Sequence, residues 1–372
     1  MGSISHDEDK LPTLRWGIIG AGLISSWFVK DLVLSRPEAQ AKHIIAAVGS
    51  SSREKGRAFV AEHAPSIDPA IYGSYEEVYA DPNVDIIYVG TPHSFHKKHA
   101  LDAIKAHKHV LCEKPFTINA HEASEVLSAA KQEGVFIMEA MWLRFRPLVA
   151  ELRKQIFDKK VIGDLRRTFC DFGLAMDLGS LPPDSRLKSQ ALGAGSLLDI
   201  GIYSLTWGLL TLDNKTGDEA EHVDIAGMQT IRDGIDITST MVLKYPNNGR
   251  QGVLTSTLDL QSGSTFCRIE GSEGYIEVSG IAPSLPSAFT VHRTGTKGSE
   301  TKSSDDKQST EEVFKFEDPG FGFYFEADAV ALDIAAGRLE SEVMPHAETL
   351  RVLKILDEVR RQGGARFPQD VA

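Results

Sequence analysis

Lys114 stands at the end of the apolar run His109-Val110-Leu111, in Leu111-Cys112-Glu113-Lys114-Pro115. The run reads as a short buried strand, so the amine is presented at a strand end. Farther on, Asp199 and Tyr203 lie four residues apart in Leu198-Asp199-Ile200-Gly201-Ile202-Tyr203, a spacing that puts both on one helix face. An amine, a carboxylate and a phenol suit the removal of hydride from a carbinol carbon, because the hydroxyl proton must leave to a positioned base. Lys114 can take that proton, or it can polarise the oxygen and lower the pKa of the neighbouring phenol. Spacing alone favours plainer roles: a surface ion pair for Glu113-Lys114 and a core aromatic for Tyr203.

Hydride chemistry needs an acceptor. Gly20-Ala21-Gly22-Leu23-Ile24-Ser25 follows a predicted strand and opens a predicted helix. Gly20 permits a tight turn, and Gly22 lets backbone approach a pyrophosphate seated on the helix N–H groups, with Leu23 and Ile24 beside it. Ser25 departs from the usual glycine or alanine. Strand two is followed by Gly49-Ser50-Ser51-Ser52-Arg53, with no acid before Glu54. An acid there would suit the ribose 2′-hydroxyl of NAD. Ser50, Ser51, Ser52 and Arg53 instead suit a 2′-phosphate and predict NADP. The serines equally suit capping the next helix. Thr91-Pro92-His93 with His96, and Glu113 and Pro115 around Lys114, lie at strand ends where a dinucleotide binds. His93, His96 and His99 lack a Cys or Glu to complete a ligand set, so no metal is expected.

The elements that position these residues alternate. Strands at 11–20, 44–48, 85–89, 109–113 and 134–138 are separated by helical segments, and the strands carry no polar alternation. That predicts an N-terminal Rossmann domain, a doubly wound parallel sheet over 1–145. Residues 146–372 change texture. Ile235–Leu243 and Val253–Leu260 alternate, with Pro246-Asn247-Asn248-Gly249 as a turn between them. A C-terminal α+β domain on a large, mainly antiparallel open sheet is expected, with an exposed loop over 294–312 and helices over 325–339 and 347–362. Of the 372 residues, 42% are hydrophobic, enough to bury full cores. The net charge of −12 argues against a nucleic-acid or anionic-membrane partner. No membrane span stands out, and the polar, acidic stretch Met1–Lys10 reads as no leader. Three scattered cysteines predict no disulfide framework and a cytoplasmic location.

Over nearly its full length the chain resembles the glucose–fructose oxidoreductase/inositol dehydrogenase (Gfo/Idh/MocA) family. The matching stretches include Leu14-Arg15-Trp16-Gly17-Ile18, Tyr72-Gly73-Ser74-Tyr75-Glu76 and Asp81-Pro82-Asn83-Val84-Asp85. They continue through Leu111–Pro115, Met138–Phe145, Gly195–Tyr203 and Arg366-Phe367-Pro368-Gln369. Within the family it is most similar to NADP-dependent D-xylose 1-dehydrogenases and dimeric trans-dihydrodiol dehydrogenases. The resemblance implies Lys114 at the active site with Asp199 and Tyr203, where many members have His in place of this Tyr. It implies aromatics Trp142 and Phe172 in the substrate pocket, where each could instead be a packing residue. Arg144 contacts cofactor or substrate, or braces the fold. The expected substrate is a sugar, D-xylose oxidised at its anomeric carbon, or else a cyclic vicinal diol. A nucleotide sensor without turnover is the alternative from another class. The resemblance also implies a homodimer through the C-terminal sheet.

Overall fold

The computed structural model describes residues 11–293 and 310–370. The expectations for Met1–Lys10 and for the loop over 294–309 lie outside the described residues. The chain divides into two compact units: 1–117, 121–145 and 318–346 form the first, and 118–120, 146–317 and 347–372 the second.

In the first unit, β1 (Thr13–Ile19), β2 (Lys42–Gly49), β3 (Ala70–Tyr72), β4 (Ile86–Val89), β5 (His109–Glu113) and β6 (Ile137–Ala140) form one parallel sheet. Its order is β3-β2-β1-β4-β5-β6, so the chain reverses direction across the sheet between β1 and β4, where dinucleotide folds bind their ligand. Every residue of β4 and of β6 is buried, as expected for strands covered on both faces. The connecting helices are α1 (Leu23–Leu32), α2 (Arg53–His63), α3 (Tyr75–Tyr79), α4 (His96–Lys105) and α5 (Ala120–Glu133). The fold class expected from the sequence is the one found.

The composition change at 145/146 marks only one crossing between units. Residues 318–346, including the helix Tyr324–Ala335, return to the first unit. Buried polar partners hold them there. Asp31 on α1 accepts from the backbone N–H groups of Phe321 (2.9 Å) and Phe323 (2.8 Å). Asp328 accepts from Arg36 and pairs with His43. Burial pushes its carboxyl up, but the hydrogen bonds from His43 and Arg36 outweigh that and leave it below the usual range.

The second unit is built on eight strands: β7 (Leu165–Gly173), β8 (Asp224–Arg232), β9 (Ile235–Lys244), β10 (Gln251–Thr257), β11 (Thr265–Gly271), β12 (Gly274–Ala282), β13 (Leu285–Arg293) and β14 (Thr310–Lys315). Their order is β14-β13-β12-β11-β7-β10-β9-β8, antiparallel except for the parallel pair β7·β10. Helices α6 (Pro147–Arg153) and α7 (Ile202–Leu212) precede and follow β7. The expected loop is corrected at its end, because Thr310–Lys315 pairs with β13. α7 packs on one sheet face: Thr211 shares a hydrogen bond with Thr168 at 2.9 Å, and Gly208 leaves room for Leu254. The stretch Gln190–Leu212 is long and apolar enough to cross a membrane by composition, and 94% of that window is buried in the protein.

Candidate active site

β1 ends at Ile19, and the chain turns at Gly20 with φ +86°. A side chain at Gly20 would strike the backbone of Gly90 and Thr91 beyond β4. The turn is closed by two bonds to the Gly20 carbonyl, from Gly22 N–H (2.9 Å) and Ser25 Oγ. The unexpected serine thus does work that glycine could not. Gly90 is its complement, since a Cβ there would fall on the Ser25 hydroxyl. Gly22 caps α1 with no side-chain partner, and a Cβ on it would meet nothing within 4 Å. Leu23 is exposed and Ile24 half-buried. The turn therefore offers unblocked helix N–H groups on an open side, the arrangement that holds a pyrophosphate. Thr91 Oγ1 and Ser94 Oγ are buried at the same end of the sheet without a partner among the described residues. A dinucleotide's polar groups would satisfy them, and the residues present fit such a ligand.

Beyond β2, Ser50 is buried and Ser51 exposed. Ser52 caps α2 by accepting from Lys55 N–H at 3.2 Å, so the capping role holds. Arg53 opens α2, about half exposed, and donates to Glu77 Oε1 at 2.7 Å. That contact uses one of five guanidinium donors. Glu77, held below the usual carboxylate range chiefly by Arg53, is an acid that sequence proximity did not reveal.

The loops after β4 and β5 are tied by His96. Its Nδ1 lies 2.9 Å from the Pro115 carbonyl and its Nε2 2.7 Å from the Thr91 carbonyl. Burial, with His93 nearby, pushes its pKa down to about 3, so the ring is neutral near pH 7. A neutral ring carries a single N–H, so it donates to one of the two carbonyls and packs against the other. His93 is buried against it, and Pro92 is half-buried. Among the described residues, no three His, Cys, Asp or Glu side chains are grouped to hold a metal.

Glu113 is buried, not a surface charge. It accepts from Tyr88 Oη at 2.7 Å and from Lys114 N–H at 3.2 Å. Burial pushes its pKa up to about 7. Lys114 follows it, half-buried at the carboxyl end of β5, with a cis bond to Pro115. Trp142 and Arg144 lie in the short helical segment after β6, both buried. One face of the Trp142 ring is stacked on Phe323, with centroids 4.3 Å apart and planes 10° off parallel. Phe323 was invisible from sequence because it comes from the returning segment.

The second unit holds Asp199, Tyr203 and Phe172. Asp199 sits in a wide π-helical turn, Leu197–Gly201, and Tyr203 in the first turn of α7. The four-residue spacing implies a regular α-helix, which the structure corrects to a π-helical turn; such widened turns often occur at functional sites. Asp199 Oδ1 accepts from Arg186 at 3.3 Å, a partner not foreseen. Tyr203 is 4% exposed and packs against Phe172 on β7, centroids 5.9 Å apart. The Tyr203 ring and the Phe172 ring are therefore neighbours within this unit.

Residues 14–141 match the oxidoreductase family with an NAD-binding Rossmann fold, and residues 151–277 match the GFO/IDH/MocA C-terminal domain. The chain is 32% identical over 374 residues to D-xylose 1-dehydrogenase (NADP(+)) of Hypocrea jecorina, covering 96% of this chain and 94% of the relative. It is 35% identical over 358 residues to trans-1,2-dihydrobenzene-1,2-diol dehydrogenase of Sus scrofa, covering 96% and 99%. Its fold is similar to that of aldose-aldose oxidoreductase from Caulobacter crescentus, with a TM-score of 0.76 at 21% identity, covering 95% and 98%. Since both units and nearly the whole length match, the chain belongs to the Gfo/Idh/MocA oxidoreductases.

Proposed function

We propose that this oxidoreductase uses NADP⁺ to oxidise the anomeric carbon of an aldopentose, D-xylose to its lactone. The observation that carries the reading is the full-length likeness to a D-xylose 1-dehydrogenase (NADP(+)). The end of β2 supports the cofactor half, where Arg53 and serines stand in place of an acid. When bound, the nicotinamide would supply the hydride acceptor for C1. The chain's residues handle the proton: the C1 hydroxyl gives its O–H proton to the Tyr203 oxygen as the C1=O bond forms. Lys114 polarises that oxygen and favours the ionised phenol. Asp199 orients the phenol. Trp142 and Phe172 cover the apolar face of the sugar, and Arg144 contacts its hydroxyls.

A second reading is supported by the relatives named trans-1,2-dihydrobenzene-1,2-diol dehydrogenase: oxidation of cyclic vicinal diols by the same residues. NADP⁺ reduction assayed with D-xylose, D-glucose, L-arabinose and a cyclic trans-diol separates the two. We expect a higher kcat/KM for D-xylose than for D-glucose, in keeping with the full-length relative named for D-xylose. Turnover of the diol with none of any aldopentose would replace the sugar reading. We further propose a homodimer through the second unit's sheet, and a cytoplasmic location in keeping with three buried free thiols.

A further inference from the structure

Behind the turn that carries Asp199 lies a carboxylate that the chemistry above does not use. Asp236, on β9, is 1% exposed. Its Oδ2 accepts three hydrogen bonds, from Leu197 N–H (2.7 Å), Ser196 Oγ (2.8 Å) and Ser239 Oγ (2.8 Å). Two of the three donors, Ser196 and Leu197, begin the π-helical turn. Ser256 Oγ donates in turn to Ser196 at 3.1 Å, and Gln229 to Ser239 at 3.0 Å, so the donors are themselves held. The far end of the turn is seated too: a Cβ at Gly201 would meet Ser256 Oγ at 2.7 Å. Asp236 Oδ1 has no partner among the described residues and lies against Gly195, whose φ is +146°. A methyl group at Gly195 would fall on that oxygen.

A buried carboxylate is costly unless its donors are organised for it. Here three converge on one oxygen at the start of a helical turn, where negative charge is also favoured by the exposed N–H groups. Burial raises the Asp236 carboxyl above its ordinary range, and the same three donors pull it back. Stability alone does not explain the placement, because a buried charge can often be replaced by packed apolar groups. A fixed register for the residues just downstream does.

We propose that Asp236 is a positioning residue of the active site: its carboxylate fixes the start of the Leu197–Gly201 turn and through it the orientation of Asp199 and Tyr203. The effect on turnover rests on the roles assigned to those two residues above. In Asp236→Asn, an amide oxygen can still accept but the charge is gone. In Gly195→Ala, the carboxylate stays but is displaced by the methyl. Misplacing a reacting group by a fraction of an ångström lowers turnover more than binding.

The test measures kcat, KM for NADP⁺ and backbone hydrogen exchange on the full-length enzyme and both variants. Expected are a fall in kcat of about tenfold or more, an unchanged KM for NADP⁺, and faster exchange confined to 195–203. Wild-type kcat in a folded Asp236→Asn would overturn the proposal. Should that variant not fold, Ser196→Ala with Ser239→Ala removes two donors and keeps the charge; about threefold lower kcat is expected, and no change would overturn it. If the wild type oxidises neither sugar nor diol, the proposed function fails by itself. The exchange measurement then decides: wild-type exchange over 195–203 in both variants would overturn the role of Asp236.

Discussion

Tyr203 and Lys114 carry the sharpest expectation at the scale of single residues. Tyr203→Phe keeps the ring against Phe172 and removes the oxygen proposed to take the proton. Turnover should fall by about a hundredfold or more, while NADP⁺ binding survives. Lys114→Met should do the same. If the two act as one unit, the double variant will be little worse than either single one, because losses within a unit are not additive. Multiplicative losses in single-turnover rates would assign them independent tasks. Arg53 tests the cofactor assignment. Losing a charge-assisted contact costs about 1.5–3 kcal/mol, roughly tenfold or more in affinity. Arg53→Ala should raise KM for NADP⁺ by that factor, helped by a Glu77 left without its guanidinium partner, and leave KM for NAD⁺ nearly unchanged. Because the ion pair is half exposed, the melting temperature should barely move. Equal wild-type efficiency with both nucleotides would contradict the NADP assignment.

Among the elements, the strand β5 and the loop after it link a buried acid to the Lys114 amine. Glu113 holds its proton to about pH 7 in the folded protein, against an ordinary value of 4.5. As pH rises through that window the unfolded chain has already released the proton and the folded chain has not. Stability therefore falls between about pH 4.5 and 7, by on the order of 3 kcal/mol, and levels off above. Glu113→Gln cannot ionise, though its amide oxygen still accepts from Tyr88. Melting curves from about pH 5 to 8 should show a shallower decline for the variant than for wild type. Parallel curves would mean that Glu113 titrates at its ordinary value in the folded protein.

For the whole molecule, the expectation is a dimer. The sheet of the second unit has α7 on one face. By strand register, the other face carries Phe169, Thr240, Val242, Val253 and Thr255, all half-buried. A face of that kind is suited to a second copy, and an obligate interface would bury on the order of 2,000 Å² or more. Light scattering at micromolar concentration should give twice the chain mass of 40.7 kDa. A monomer mass would refute it.

The parallel sheet, the glycine turn and the presence of Lys114 at a strand end were legible in the sequence, because local periodicity and turn chemistry follow from backbone sterics and burial pattern. The missing acid after β2 was likewise plain from residue order alone. What only tertiary structure decided are contacts between residues far apart in the chain. Glu77 reaches Arg53 from another helix. Phe323 comes back from the far end of the chain to cover Trp142. Gly90 leaves the space that Ser25 fills. Asp236, forty residues after Ser196, holds the turn whose π-helical widening no four-residue spacing announces. Periodicity reports which face of an element is buried. It does not report what is buried against it, and at this site that second fact sets charge, orientation and shape.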